Sequence, residues 1–134
     1  MCNLVNSKQI SESQLQAACV YWFRLQYQKL TLFAIPNGAW LQGKDKAKRA
    51  RQWAKLKKEG AMSGVADLFL AQPSGDLAGL WIEMKVGGNK QTKTQKSFEG
   101  KMTAAGYGYA VVRTFEQFQN TVRQYLETGI LTER

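Results

Sequence analysis

Apolar and polar positions change period several times along the chain, and each period predicts an element. Leu15, Cys19, Trp22, Phe23 and Gln26 fall on one stripe at helical spacing. Ahead of them, Ser11-Glu12-Ser13-Gln14 has the form of a capping box, with Ser11 as the cap and Gln14 reaching back. A helix is expected from there to about Gln28, with Glu12 on the stripe side, one turn before Leu15. Thr31 to Ile35 is β-prone and closes on the turn Pro36-Asn37-Gly38. Lys44 to Glu59 reads as a second helix with a narrow apolar face of Ala47, Ala50, Trp53 and Ala54, stopped by Gly60. Val65 to Ala71 and Leu80 to Val86 read as strands joined by the turn cluster Gln72-Pro73-Ser74-Gly75-Asp76. Both are mostly apolar, as in strands covered on both faces. Gly87-Gly88-Asn89 breaks the second. A helix from Thr92 to Ala105, a strand from Tyr107 to Arg113 and an amphipathic helix from Phe115 to Leu126 complete the pattern. The order α, β, α, β, β, α, β, α predicts a mixed α/β fold without internal repeat or domain boundary. Residues 1–134 are expected to form one domain, with a core over about 11–126 and loose ends.

Composition fits that expectation and narrows the chemistry. The 134 residues are 44% hydrophobic and 22% charged, as in an ordinary folded domain. Charge is less ordinary: 19 Lys and Arg against 10 Asp and Glu leave a net +9, which attracts polyanions and nucleic acid first among them. No histidine is present, and the only cysteines are Cys2 and Cys19. Ser-His and Cys-His nucleophile pairs, His-ligated zinc and a thiolate cluster on one chain are thereby excluded. No organic cofactor is expected. No apolar run approaches a membrane span, no signal peptide is expected at the N-terminus, and a reducing cytoplasm is the expected setting. Carboxylates, lysines, amides and hydroxyls remain, a donor set that suits hard, oxygen-liganded cations such as Mg²⁺ or Mn²⁺.

The informative stretch is Gly64-Val65-Ala66-Asp67-Leu68 followed by Trp81-Ile82-Glu83-Met84-Lys85. Strand residues alternate faces, so Glu83 and Lys85 project to one side and Met84 to the other. A hairpin would fold Asp67 back beside Glu83, placing two carboxylates and an ammonium together. Such a site can hold a divalent cation through Asp67, Glu83 and the Met84 carbonyl, with Lys85 orienting an attacking water or stabilising phosphorane charge. Glu83 and Lys85 alone also fit a cross-strand ion pair on a wet face. The flanking Leu80-Trp81-Ile82 is too apolar for that, because buried charges need partners.

Asp67, a turn-linked gap and then Glu83-Met84-Lys85 resemble the PD-(D/E)xK nuclease superfamily. The ordered series that also includes Glu12, Pro36-Asn37-Gly38, Lys58-Glu59-Gly60, the Gln95-centred helix and Ala105-Gly106-Tyr107 resembles its virus-type replication-repair nuclease (VRR-NUC) branch. Ala66 departs from the pattern, which puts proline before the aspartate, without touching a catalytic group. The resemblance implies a restriction-endonuclease-like core with a mixed sheet flanked by helices. It implies Asp67 and Glu83 as metal ligands, Lys85 as the catalytic lysine, Glu12 as a further acid near the metal, and Gln95 beside the centre binding water or phosphate. For Glu12 the competing reading is a first-turn carboxylate favoured by the helix dipole. For Gln95 it is an amide that satisfies nearby backbone groups.

Lys44, Lys46, Lys48, Arg49, Arg51 and Lys55 crowd one predicted helix, and Lys90, Lys93 and Lys96 follow the Glu-x-Lys strand. All are candidates for DNA phosphate contacts, against the alternative of a solvated helix face. Trp22, Trp53 and Trp81 are core candidates, and Trp40, in a Gly-rich loop, is a DNA-facing candidate. Gly100 interrupts a helix, where close approach of another backbone could explain it. The function expected is a Mg²⁺- or Mn²⁺-dependent DNA endonuclease; a non-catalytic basic nucleic-acid-binding module is the alternative. The chain leaves no room for a separate target-recognition domain, and stand-alone relatives of this type imply a homodimer acting on branched or four-way (Holliday-type) junction DNA in replication, recombination or repair.

Overall fold

The computed structural model describes residues 10–36, 41 and 43–132. Asn37, Gly38 and Trp40, named above as a turn and a DNA-facing candidate, lie outside the described residues. The elements follow the expected order: α1 (Glu12–Gln26), β1 (Leu32–Ala34), α2 (Lys46–Lys58), β2 (Leu68–Leu70), β3 (Leu80–Met84), α3 (Lys93–Ala104), β4 (Gly108–Val112) and α4 (Phe115–Thr128). Ser11 caps α1 through the reciprocal box with Gln14, as its sequence requires. Thr92 and Gln95 close the same box on α3. α4 ends where Gly129 takes a left-handed conformation at φ 68°.

The four strands form one mixed sheet in the order β1-β2-β3-β4. β1 with β2 and β2 with β3 are antiparallel, and β3 with β4 is parallel because α3 carries the chain across the sheet. The expected strands were longer than these. Asp67 therefore sits just before β2 and Lys85 just after β3, although the Lys85 amide still donates to the Val112 carbonyl at 2.9 Å.

Each face of β3 is covered. Leu80, Ile82 and Met84 point into the main core with Leu15, Cys19 and Phe23 of α1 and Phe118, Val122 and Tyr125 of α4. Burying each large apolar side chain there contributes about 1.5–3 kcal/mol. Trp81 lies on the opposite face, in a smaller cluster with Ala66, Phe98, Tyr109 and Val111. Alternation then assigns Glu83 and Lys85 to that second face as well.

α2 differs from expectation. It buries no residue: Ala47, Ala50 and Ala54 are exposed, and Trp53 is only half-buried beneath the Lys57 ammonium, 5.4 Å from its ring. One tryptophan and three alanines make too little apolar surface to hold a helix against the sheet. Gly100 also departs from the suggested reason, since a Cβ there would meet nothing within 4 Å. Among the described residues no helix is long and apolar enough to cross a membrane.

Candidate active site

Asp67 is fixed by both neighbouring strands. Its carbonyl accepts from the Ile35 amide at 2.9 Å, and its Oδ2 accepts from the Met84 amide at 2.7 Å. The β2–β3 register pairs Leu68 with Ile82, so the next step outward brings Asp67 opposite Glu83. The hairpin thus brings together two carboxylates that fifteen residues separate in the chain. Gly64 helps to hold it: with φ 87°, it packs where a Cβ would run into the Thr94 carbonyl at the start of α3.

Glu83 is fully buried at 0% exposure, and Lys85 is buried at 8%. Such exposures rule out a solvated cross-strand ion pair on a wet face. Burial pushes the Asp67 carboxyl above the usual carboxylate range, and the Glu83 charge adds to the rise. The Met84 amide and the Lys85 charge oppose it. Burial also raises Glu12, with Asp67 and Glu83 adding and Lys85 opposing, so Glu12 shares an electrostatic environment with all three. Negative charge gathered around the buried Asp67 is what a bound cation relieves.

Among the described residues, Glu83 Oε2 is buried without a hydrogen-bond partner. Its other oxygen is doubly engaged: Oε1 accepts from the Tyr109 hydroxyl at 2.6 Å and from Gln91 Nε2 at 3.3 Å. Gln91 Nε2 also donates to Glu99 Oε1 at 3.0 Å. Burial raises the Tyr109 phenol well above its ordinary value, and its acceptor Glu83 reinforces the rise.

The donor set fits a hard divalent cation: Asp67, the free oxygen of Glu83, and the Met84 carbonyl at the end of the same strand. Among the described residues no group of three or more His, Cys, Asp or Glu side chains forms a ready metal cage. Glu12 lies close enough to feel the charges of Asp67, Glu83 and Lys85. Gln95, expected beside the centre, places its Oε1 on the Thr92 amide at 2.8 Å. That contact is the backbone-satisfying role, since the same side chain completes the box that starts α3.

Sequence pattern missed Tyr109, Gln91 and Glu99. Tyr109 pairs with Trp81 in the β3–β4 register and reaches diagonally to Glu83. Only the parallel pairing reveals that, because the two residues are far apart in the chain. Gln91 lies in the turn before α3, where no periodicity marks a side chain that reaches back.

One cleft, ≈ 740 Å³, contains none of Asp67, Glu83 or Lys85. It opens beside β4 and α4 and includes Glu99 and Tyr109, at the rear of the Glu83 network. A second cleft of ≈ 580 Å³ is lined by Lys90, Gln91, Lys96, Val111, Arg113 and Gln117. Its charge is wholly basic, and Gln91 connects it to Glu83 as Tyr109 connects the first. Arg113, unremarked in the sequence, donates there to the carbonyls of Gly87 and Asn89 at 3.3 and 2.7 Å. Lys44, Lys46, Lys48, Arg49, Arg51 and Lys55 are all exposed on or just before α2, and Lys90, Lys93 and Lys96 are exposed around the start of α3.

No protein-family profile matches the sequence, and no curated protein matches it. A solved structure of a protein named "VRR_NUC domain protein" superposes with a TM-score of 0.68 at 22% identity, covering 93% of this chain and 100% of the other.

Proposed function

We propose that this chain, which has the fold of a VRR-NUC domain, is a metal-dependent DNA endonuclease that hydrolyses phosphodiester bonds. The observation that carries the reading is the buried, unpartnered Glu83 Oε2 beside Asp67 and Lys85. A permanently orphaned carboxylate oxygen in a core costs stability, whereas one that receives a cation serves a purpose. Asp67, Glu83 and the Met84 carbonyl would hold Mg²⁺ or Mn²⁺, with Glu12 adding negative charge nearby. When bound, such an ion lowers the pKa of a coordinated water and neutralises charge on the scissile phosphate.

The chain's own groups do the rest. Lys85, held by the β4 ladder and shielded from solvent, donates to the attacking oxygen or to the phosphorane. The amide nitrogen of Gln95 is left to donate to a phosphate, because its oxygen is committed to Thr92. Lys90, Lys93 and Lys96 hold the strand being cut, and the cations of α2 track the backbone without reading bases.

The substrate we favour is branched DNA, the four-way junction above all, cut by a homodimer whose two sites face two strands. The setting would be replication, recombination or repair in the cytoplasm of a bacterial or phage-infected cell. Labelled duplex, flap and junction DNA would be incubated with Mg²⁺, Mn²⁺ or EDTA, with wild type beside Asp67→Ala and Lys85→Ala. Metal-dependent cutting that favours junctions is expected, falling at least about 100-fold in each folded variant. Tight, salt-sensitive binding without cutting of any substrate would instead make the chain a nucleic-acid-binding module. A monomer by sedimentation that cuts plain duplex as fast as junctions would sink the junction reading alone.

A further inference from the structure

Glu83 is held asymmetrically. Tyr109 of β4 and Gln91 of the turn before α3 both donate to Oε1, and nothing donates to Oε2. A polar network whose role is only to stabilise a core would satisfy both oxygens. Here both donors to Glu83 stand on one side of the carboxylate.

We propose that Tyr109 and Gln91 are positioning residues that clamp Oε1 of Glu83 so that Oε2 is presented to a divalent cation. The inference rests on the metal-dependent reading of the Asp67–Glu83–Lys85 site. The terminal torsion of a glutamate is soft and nearly two-fold, so an unrestrained carboxylate would sample orientations that turn either oxygen toward the site. Two donors on one oxygen remove that freedom. Tyr109 has little freedom itself: it is 6% exposed, packs against the Phe98 ring at a 6.3 Å centroid separation, and is fixed by its β4 register opposite Trp81.

Gln91 is oriented by what it lies between. Its Nε2 bridges Glu83 Oε1 and Glu99 Oε1, 3.3 and 3.0 Å away. The same Nε2 donates to both carboxylates, so the amide nitrogen, not its oxygen, faces the gap between them. Glu99 on α3 thereby sets the orientation of Gln91, and Gln91 sets that of Glu83. The chain of contacts links α3, the preceding turn, β3 and β4. Outer hydrogen bonds of this kind orient ligating carboxylates, and losing one typically weakens metal binding 10- to 100-fold.

The test measures Mn²⁺ binding to the full chain without DNA, by electron paramagnetic resonance of the free ion, for wild type, Tyr109→Phe, Gln91→Ala and Asp67→Ala. The melting midpoint of each metal-free protein is recorded alongside. Tyr109→Phe and Gln91→Ala are expected to bind Mn²⁺ at least about 10-fold more weakly, with metal-free midpoints close to wild type. Cleavage by Tyr109→Phe should recover as Mn²⁺ is raised, which a damaged fold would not allow. Gln91 lies in a turn, so its variant keeps the test decisive if Tyr109→Phe proves unstable. Wild-type affinity in both variants, with binding lost in Asp67→Ala, would overturn the clamp and leave the metal site standing. A lowered midpoint with unchanged affinity in Gln91→Ala would overturn it too. No Mn²⁺ binding by wild type would overturn both the clamp and the reading beneath it.

Discussion

Asp67 shows how a candidate metal ligand can act against the fold that holds it. Burial and the Glu83 charge raise its carboxyl above the usual aspartate value of 3.8. A folded state that keeps the proton to higher pH binds more protons than the unfolded chain between the two pKa values. The unfolding free energy therefore falls as pH rises through that window. The contribution is fully present below the unfolded value and lost above the folded one. Asn keeps an acceptor for the Met84 amide but carries no charge. Metal-free Asp67→Asn is thus expected to melt a few degrees above wild type at pH 7–8, with the gap closing toward pH 4, while cleavage is lost. Parallel melting midpoints for the two proteins from pH 4 to 8 would show that this carboxylate is not strained by its surroundings. At this scale the sequence disclosed residue types and faces: Asp67, Glu83 and Lys85 were legible because strand alternation and one hairpin suffice to unite them. Tyr109 was not, since its bond to Glu83 depends on the β3–β4 pairing.

Among the elements, α3 and α2 illustrate opposite outcomes of the same local rules. The boundaries of α3 follow from Thr92 and Gln95 at one end and Gly106 beyond the other, all visible as residue types. Gly100 within it is a liability with no structural return, since no atom lies within 4 Å of where its Cβ would be. Gly100→Ala is expected to stabilise the protein by about 0.5–1 kcal/mol. The melting midpoint should rise by about 2–4 °C for a chain of this size. Calorimetry showing a fall would mean that some partner occupies that surface. For α2, periodicity correctly located a helix but overstated its apolar face. Asp45 caps its first turn and Lys55, Lys57 and Lys58 suit the negative end of its dipole, so local terms alone support it.

At the scale of the whole molecule the charge is divided by location. The carboxylates of the site are buried or half-buried between strands, while the cations of α2 stand in solvent. A surface of that kind binds DNA chiefly through counterion release. Replacing Lys46, Lys48, Arg49 and Arg51 together by Gln should weaken duplex binding at least about 10-fold and flatten the salt dependence of log K by up to about 3–4 units. Fluorescence anisotropy across a salt series checks this. An unchanged slope would return α2 to the role of a solvated face. Cutting of substrate already bound should persist, because none of these residues belongs to the carboxylate network.

Sequence alone determined the element order, the cap of α1, the strand faces and the union of Asp67 with Glu83 and Lys85. Each of these is set by neighbours a few residues away or by one tight connection, where period and turn chemistry decide the outcome. Tertiary structure alone decided which strand lies beside β3, and so which tyrosine reaches Glu83, and how far α2 would be covered. It also left Oε2 of Glu83 without a partner while two donors gathered on Oε1. Those outcomes depend on parallel pairing across a helix and on the packing of distant side chains, neither of which leaves a local period in the chain.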